Sequence, residues 1–269
     1  IGAQKMKYPD DFLNKIICGD CLEVMKEMPD KCTDAIICDL PYGTTACSWD
    51  TIIPFELLWK VYKRIIKDNS VIVLTASQPF TSVLVMSNPR MFREHIVWLK
   101  NKSGSGLQAD QKHIKIHEDI LVFSKIGKYT FNPQKWLVDK KEFLTQRKTF
   151  KNLEVGNTIY SKMIKKQKVD NGVRNPISIV SVRTPHNPSY SKKYNFKEIR
   201  QHPTQKPVSL MSYLIKTYTD ENDLILDNTC GSGSTLVAAK QLKRNFIGIE
   251  ISKDYCKIAE ERLRQEILL

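Results

Sequence analysis

The sequence predicts an α/β fold built on a doubly wound, mostly parallel sheet. Three observations predict it. Short apolar runs alternate with amphipathic stretches along most of the 269 residues, the pattern of strands interleaved with helices. One such run, Leu224 to Leu226, leads into a glycine turn, Gly231-Ser232-Gly233, that opens a helical stretch; a parallel sheet turns its backbone toward a ligand at such a place. The following run ends in an acid, Glu250.

Taken in order, Lys15 to Cys18 is expected as a strand, Asp20 to Met28 as a helix and Ala35 to Cys38 as the next strand. Pro54 marks a helix start, because proline's missing N–H costs nothing in the first turn. Leu58, Val61, Tyr62 and Ile65 then share the face that meets the sheet. Val71 to Thr75, Ile96 to Leu99 and Asp119 to Phe123 are three further strands. Beyond Lys125 the alternation fades, and the stretch to about Arg200 is polar, lysine-rich and dotted with Asn-Pro, Asn-Gly and Thr-Pro turns. The expected organisation is therefore an N-terminal part of one domain (1–125), a basic insertion (126–200) and a C-terminal part of the same domain (201–269). Order resumes at Pro207, ahead of a helix carrying Leu210, Tyr213, Leu214 and Thr217. A strand Leu224 to Leu226, a helix Ser234 to Lys243, a strand Phe246 to Ile249 and a helix Ser252 to Glu266 complete the chain. Since one helix and no strand follow Glu250, the neighbour on that side must come from the other end, most simply Lys15 to Cys18. The element order is circularly permuted.

The net charge of +13 is unevenly placed: residues 125 to 200 hold 18 Lys and Arg against 5 Asp and Glu, and the remainder is neutral. That distribution suits a surface facing a polyanion, or a solvated basic loop. The 7 cysteines are odd in number and scattered, which suits a reducing cytoplasm. Cys18 and Cys21 form a C-x-x-C near Cys32 and Cys38, but Cys18 and Cys38 fall in runs that read as buried strands, where cysteine is a small hydrophobe rather than a zinc ligand. No apolar run approaches the ~20 residues of a membrane span, and no apolar segment follows the N-terminal lysines as in a secretory signal.

The strand, glycine turn, helix, strand and acid in sequence describe a nucleoside-containing cofactor, with Glu250 placed to accept from ribose hydroxyls. Position 236 is Leu where a dinucleotide fingerprint has a third glycine, so NAD is the weaker reading. On the same rim, Asp39-Leu40-Pro41-Tyr42 directly follows the strand Ala35 to Cys38. Those residue types suit attack by an exocyclic amine, whose lone pair is delocalised into its ring. Asp39 and the Leu40 carbonyl would accept from the NH2 hydrogens, Pro41 would stiffen the turn, and Tyr42 would offer a ring face to a base that has left its duplex.

Asp39 to Tyr42 resembles the Asp-Pro-Pro-Tyr motif of amino-methyltransferases. Asp227-Asn228-Thr229-Cys230-Gly231-Ser232-Gly233-Ser234-Thr235 is similar to their Asp-Pro-Phe-x-Gly-Ser-Gly-Thr loop, His202-Pro203-Thr204-Gln205-Lys206-Pro207 matches their His-Pro-Thr-Gln-Lys-Pro segment, and Phe246 to Glu250 resembles their Phe-Ile-Gly-Ile-Glu strand. The motif order is similar to the beta group of DNA amino-methyltransferases, over roughly residues 15 to 125 and 200 to 265. The resemblance implies a Rossmann-like methyltransferase fold, S-adenosylmethionine as cofactor, no metal, and methyl transfer to adenine N6 in double-stranded DNA, with cytosine N4 as the alternative. It implies that Asp20 meets the cofactor's adenine and Glu250 its ribose, and that Thr204, Lys206, Asp227, Thr229, Gly231, Ser232 and Gly233 hold its methionine part. The basic segment would coincide with the target-recognition region, with Lys148, Lys151, Lys162, Lys165, Lys166, Lys168, Arg174 and Arg183 on DNA. Members often pair as homodimers, and a cytoplasmic, nucleoid-associated location follows from the substrate. Two departures stand out: Leu40 replaces a proline, and Asn228 with Cys230 alters the cofactor loop.

An RNA or protein methyltransferase and a non-catalytic nucleic-acid-binding module remain as further readings. Trp49, Phe80, Trp98 and Phe123 read as core before base clamps, with Phe123 the second choice after Tyr42 because it ends a strand. His117-Glu118-Asp119 has the residue types of a metal or acid–base cluster, but just before a strand it reads as a cluster that satisfies backbone groups at that edge. Asp139-Lys140-Lys141 has the spacing of some nucleases but lacks a legible upstream acid.

Overall fold

The computed structural model describes residues 6–44, 50–102, 109–137, 173–185 and 205–265. Its main sheet has eight strands in the order β1-β10-β9-β2-β3-β5-β4-β8: β1 (Lys15–Cys18), β2 (Thr33–Asp39), β3 (Ile66–Ala76), β4 (Phe92–Leu99), β5 (His117–Phe123), β8 (Ile179–Ser181), β9 (Leu224–Asp227) and β10 (Asn245–Glu250). The first five in that order are parallel neighbours, β5 runs antiparallel to both β3 and β4, and β8 is parallel to β4. β1 pairs with β10 in the register Lys15↔Ile247 to Cys18↔Glu250, so the N-terminal strand supplies the missing neighbour of the permuted order.

Helices cover both faces. α1 (Cys21–Lys26), α2 (Phe55–Ile65) and α3 (Phe80–Ser87) lie on one; α4 (Val208–Tyr218), α5 (Ser234–Gln241) and α6 (Lys253–Arg264) lie on the other. The strands are apolar on both sides as a doubly covered sheet requires: Ile36 and Cys38 of β2 enter the α1–α3 core, Ala35 and Ile37 the α4–α5 core. Local chemistry sets the helix ends. Asp20 caps α1 by accepting from the Leu22 and Glu23 amides, Pro54 precedes α2, and Ser252 caps α6. On α2 the buried face is Leu58, Trp59, Tyr62 and Ile65.

Four elements differ from the sequence expectation. α3 was not expected, because Phe-Thr-Ser-Val-Leu-Val-Met-Ser has no polar side to its helical period. β8 lies in the stretch read as irregular, and β6 (Trp136–Leu137) and β7 (Val173–Arg174) form a separate antiparallel pair. The chain divides into a compact unit of Ile1–Asn132 with Ser178–Leu269 and a second unit, Pro133–Ile177. Cys18 is exposed rather than buried, because β1 is an edge strand; Cys38 is buried as expected. Among the described residues, no helix is long and apolar enough to cross a membrane.

Candidate active site

Parallel β1, β10, β9, β2 and β3 bring their carboxyl ends to one rim. Asp39, the last residue of β2, lies beside Thr75 of β3. Its Oδ1 accepts from the Thr75 hydroxyl and from the Tyr42 hydroxyl at 2.6 Å. Its Oδ2 accepts from Lys206 Nζ at 2.6 Å. Lys206 is buried, and its Nζ also lies 3.3 Å from Glu118 Oε2, while Lys100 Nζ donates to Glu118 Oε1 at 2.8 Å. Burial alone lowers the Lys206 pKa, but the charges of Asp39 and Glu118 outweigh it and raise the pKa above the ordinary lysine value, so it stays an ammonium. Burial works against the Glu118 carboxylate in the same way, and Lys206 with Lys100 outweighs it, holding the group below the usual glutamate range. Burial, reinforced by the Asp39 charge, raises the Tyr42 phenol well above its ordinary value and keeps it a donor. The Tyr42 ring stacks on Phe80, with centroids 5.0 Å apart and planes at 26°. Leu40, in the place of a proline, puts its side chain into the core.

The second half of the rim is the turn between β9 and α5. Thr229 Oγ1 donates to the main-chain carbonyl of Asp39 at 2.9 Å, so two segments 190 positions apart meet at the end of β2. Gly231 N donates to Glu250 Oε2 at 2.8 Å and Ser252 N to Glu250 Oε1 at 2.8 Å. Gly231 has φ +52° and nothing within 4 Å of where a Cβ would stand; Gly233, at φ +79°, caps α5. Burial pushes the Asp227 carboxyl up to about 7; hydrogen bonds from Thr235 and the Thr229 amide oppose the rise, and the Asp39 and Glu250 charges add to it. Arg262 of α6 clamps the turn from behind, donating through Nη1 to the Ser232 carbonyl at 2.6 Å and to the Ser234 hydroxyl at 3.1 Å. Beneath it, Tyr62 of α2 donates to Asn228 Oδ1 at 2.6 Å. Tyr62→Phe leaves that buried amide oxygen without its donor, an expected loss of about 1–3 kcal/mol readable as a lowered thermal midpoint at fixed pH.

These residues fit a nucleoside carrying an amino acid. Asp20 follows β1 next to Glu250 at the end of β10, since Cys18 pairs with Glu250 and Gly19 N donates to the Glu250 carbonyl at 3.0 Å. Two carboxylates thus stand at adjoining strand ends, and the open space at Gly231 lets a ligand approach the main chain.

Of the residues singled out in the sequence, Asp39, Leu40, Pro41, Tyr42, Asp20, Asp227, Thr229, Gly231, Ser232, Gly233 and Glu250 come together on this rim. Lys206 sits on Asp39 and Glu118. Thr204, Lys148, Lys151, Lys162, Lys165, Lys166 and Lys168 lie outside the described residues; Arg174 lies in β7 of the second unit and Arg183 is exposed just after β8. Phe123 is no base clamp: it is fully buried against Trp59, with centroids 4.9 Å apart, because β5 runs antiparallel and carries its end away from the rim. The same reversal carries the start of β5 to the rim. His117-Glu118-Asp119 is therefore not a strand-edge cluster serving the backbone; Glu118 holds two lysines, and Asp119 accepts from Thr81 at 2.6 Å and pairs with His95 at 2.9 Å. Thr75, Lys100 and Arg262 carried no motif that marked them.

Comparison with known proteins agrees with this geometry. A family described as DNA methylase matches residues 33–261. The chain is 29% identical to the Type II methyltransferase M1.MboII of Moraxella bovis, over 94% of this chain and 97% of that protein. It is 30% identical to the DNA adenine methyltransferase YhdJ of Escherichia coli K12, over 92% of this chain and 82% of that one. Among solved structures, the M1.HpyAVI complex with S-adenosylmethionine superposes with a TM-score of 0.60 at 24% identity, covering 93% of this chain and 99% of that one, a likeness of fold. The chain belongs to the DNA methylase family of S-adenosylmethionine-dependent amino-methyltransferases that act at adenine N6 or cytosine N4.

Proposed function

We propose that this protein methylates adenine N6 in duplex DNA, on a base turned out of the helix. The observation that carries the reading is the bond from Thr229 Oγ1 to the Asp39 carbonyl, which joins the cofactor turn to the catalytic tetrapeptide. Aspartate rather than serine at position 39 supports adenine, as does the similarity to YhdJ, a DNA adenine methyltransferase.

Bound S-adenosylmethionine would supply an electrophilic sulfonium methyl: in direct in-line attack the new N–C bond would form as the S–C bond breaks, with neutral S-adenosylhomocysteine as leaving group and a proton then lost from the methylated nitrogen. Asp20 and Glu250 serve the nucleoside end of the cofactor; Asp227, Thr229, Gly231, Ser232 and Gly233 serve its methionine end. Asp39 and the Leu40 carbonyl accept from the two amine hydrogens, drawing the nitrogen lone pair out of conjugation, and the Asp39 charge stabilises the cationic nitrogen that forms. The Thr75 and Tyr42 hydroxyls fix the carboxylate while it does so. Tyr42, backed by Phe80, offers the stacking surface. The basic stretch from 125 to 200, with Arg174, Arg183 and the lysines named above, supports phosphate contacts and a steep loss of DNA affinity with salt.

The test is incubation with unmethylated duplex DNA and isotopically labelled cofactor, followed by digestion and nucleoside mass spectrometry. Labelled N6-methyl-2′-deoxyadenosine is expected. Labelled N4-methyl-2′-deoxycytidine would move the activity to the other amine, and no labelled nucleoside would overturn the proposal.

The Asp227 carboxyl gives this reading a pH signature. With its pKa at about 7 it is largely protonated below neutrality in the free protein. A cofactor that brings a sulfonium and an ammonium favours the carboxylate, so binding below pH 7 must release a proton. Affinity should tighten as pH rises toward 7 and level off above it, a dependence that calorimetric titration would find abolished in Asp227→Asn. The same raised pKa contributes stability that is complete below about 4 and lost as pH rises through 7. Asp227→Asn should therefore raise the thermal midpoint more at pH 8 than at pH 5.

A further inference from the structure

Lys206 already occupies the carboxylate oxygen that a target amine would need and stands over the ring on which its base would stack. Its Nζ donates to Asp39 Oδ2 at 2.6 Å and lies 5.6 Å from the centroid of the Tyr42 ring. An arriving amine finds that carboxylate oxygen committed to a full positive charge. As the amine nitrogen itself becomes cationic, an ammonium on the same oxygen opposes it.

Lys206 has a second anion within reach. Four charges stand in an alternating row, Lys100, Glu118, Lys206 and Asp39, at separations of 2.8, 3.3 and 2.6 Å. Their side chains are 16, 17, 8 and 23% exposed, so water screens them poorly. A buried ammonium cannot be left unpaired without a large penalty, but a short movement of Nζ from Asp39 toward Glu118 leaves it paired throughout. Asp39 Oδ1 stays anchored by Thr75 and Tyr42 during that movement, so Oδ2 opens without rotation of the carboxylate.

We propose that Glu118 is a positioning residue that draws the Lys206 ammonium off Asp39 when the target amine enters, a role that rests on the amino-methyltransferase reading. Lys100 keeps the receiving carboxylate ionised and in place, and the lysines hold it below the usual glutamate range. Without Glu118, Lys206 has only Asp39, and the amine must compete for it.

The experiment compares Glu118→Gln, which keeps size and removes charge, with Glu118→Asp, which keeps charge and loses a methylene. Each is measured for S-adenosylmethionine affinity by calorimetry, and for single-turnover methyl transfer to unmethylated genomic DNA at saturating cofactor. Glu118→Gln is expected to slow transfer by about 10- to 100-fold with affinity changed by no more than about threefold, and Glu118→Asp to retain more of the rate than Glu118→Gln. A residue that only fills space would give the reverse order. If Glu118→Gln fails to fold, Glu118→Gln with Lys100→Met restores the local charge balance, and the same slowing is expected of the pair. Transfer by the neutral variant within about threefold of the wild type, or an aspartate variant no faster than the glutamine one, overturns the role of Glu118. A wild-type protein that transfers no methyl group overturns instead the reading beneath it.

Discussion

Asp39→Ala is expected to reduce methyl transfer by at least about 1000-fold while leaving S-adenosylmethionine affinity within about threefold. The split follows from where the side chain points. Its two oxygens are engaged by Thr75, Tyr42 and Lys206, whereas the turn between β9 and α5 hydrogen-bonds residue 39 through its main-chain carbonyl, which alanine keeps. In the proposed reaction, removing the carboxylate takes away the acceptor for the amine and the charge that supports its cationic product, and it leaves Lys206 with Glu118. Asp39→Asn separates charge from shape. The amide can satisfy the Thr75 and Tyr42 hydroxyls with its oxygen, but its NH2 then faces the Lys206 ammonium and cannot accept from a substrate amine. Both variants should be folded by thermal denaturation and nearly inactive in single-turnover transfer. Near-normal turnover in either removes Asp39 from the reaction.

The periodic elements were legible in the sequence because their cause is local. The apolar faces of α2 and α4, the Pro54 and Ser252 helix starts and the strands flanking the glycine turn are each written within a dozen residues. Even the placement of β1 beside β10 could be deduced, since the permuted order leaves one vacancy and one spare strand. What escaped was whatever depends on strand direction. Phe123 and Glu118 sit at opposite ends of β5, and the antiparallel pairing that buries the first and delivers the second to the rim is a tertiary fact. α3 escaped for a different reason: a helix apolar on every side has no period to detect. Arg262 reads as one more charge on an amphipathic helix until α6 packs against the turn and its guanidinium meets Ser232 and Ser234. The residue types were enough to nominate Asp39 and Tyr42 as candidates, but the Thr75 hydroxyl that completes their triangle comes from the neighbouring strand.

Gly233→Ala should cost about 2–5 kcal/mol, the sum of about 1–2 for a left-handed non-glycine residue and about 1–3 for overpacking. That corresponds to a fall of about 4–20 °C in the thermal midpoint. The steric share has no soft outlet: a Cβ there would stand 2.9 Å from Ala259 Cβ and 3.3 Å from Ala259 Cα, neither of which belongs to a flexible side chain. α5 and α6 must separate, and the turn that runs from Asp227 through Gly231 moves with them, so cofactor affinity should fall by at least about tenfold. Gly231→Ala provides the contrast. Its φ of +52° carries similar backbone strain, but its Cβ meets nothing within 4 Å. It should lose only about 1–2 kcal/mol yet weaken the cofactor strongly, because the new methyl points into space that the ligand needs. Adding Ala259→Gly should recover part of the stability lost in Gly233→Ala, net of about 1 kcal/mol for a glycine in the interior of α6, and should only lower stability by about that amount in Gly231→Ala. Equal recovery in both would mean that the packing of α6 against the turn is not what makes glycine necessary at position 233.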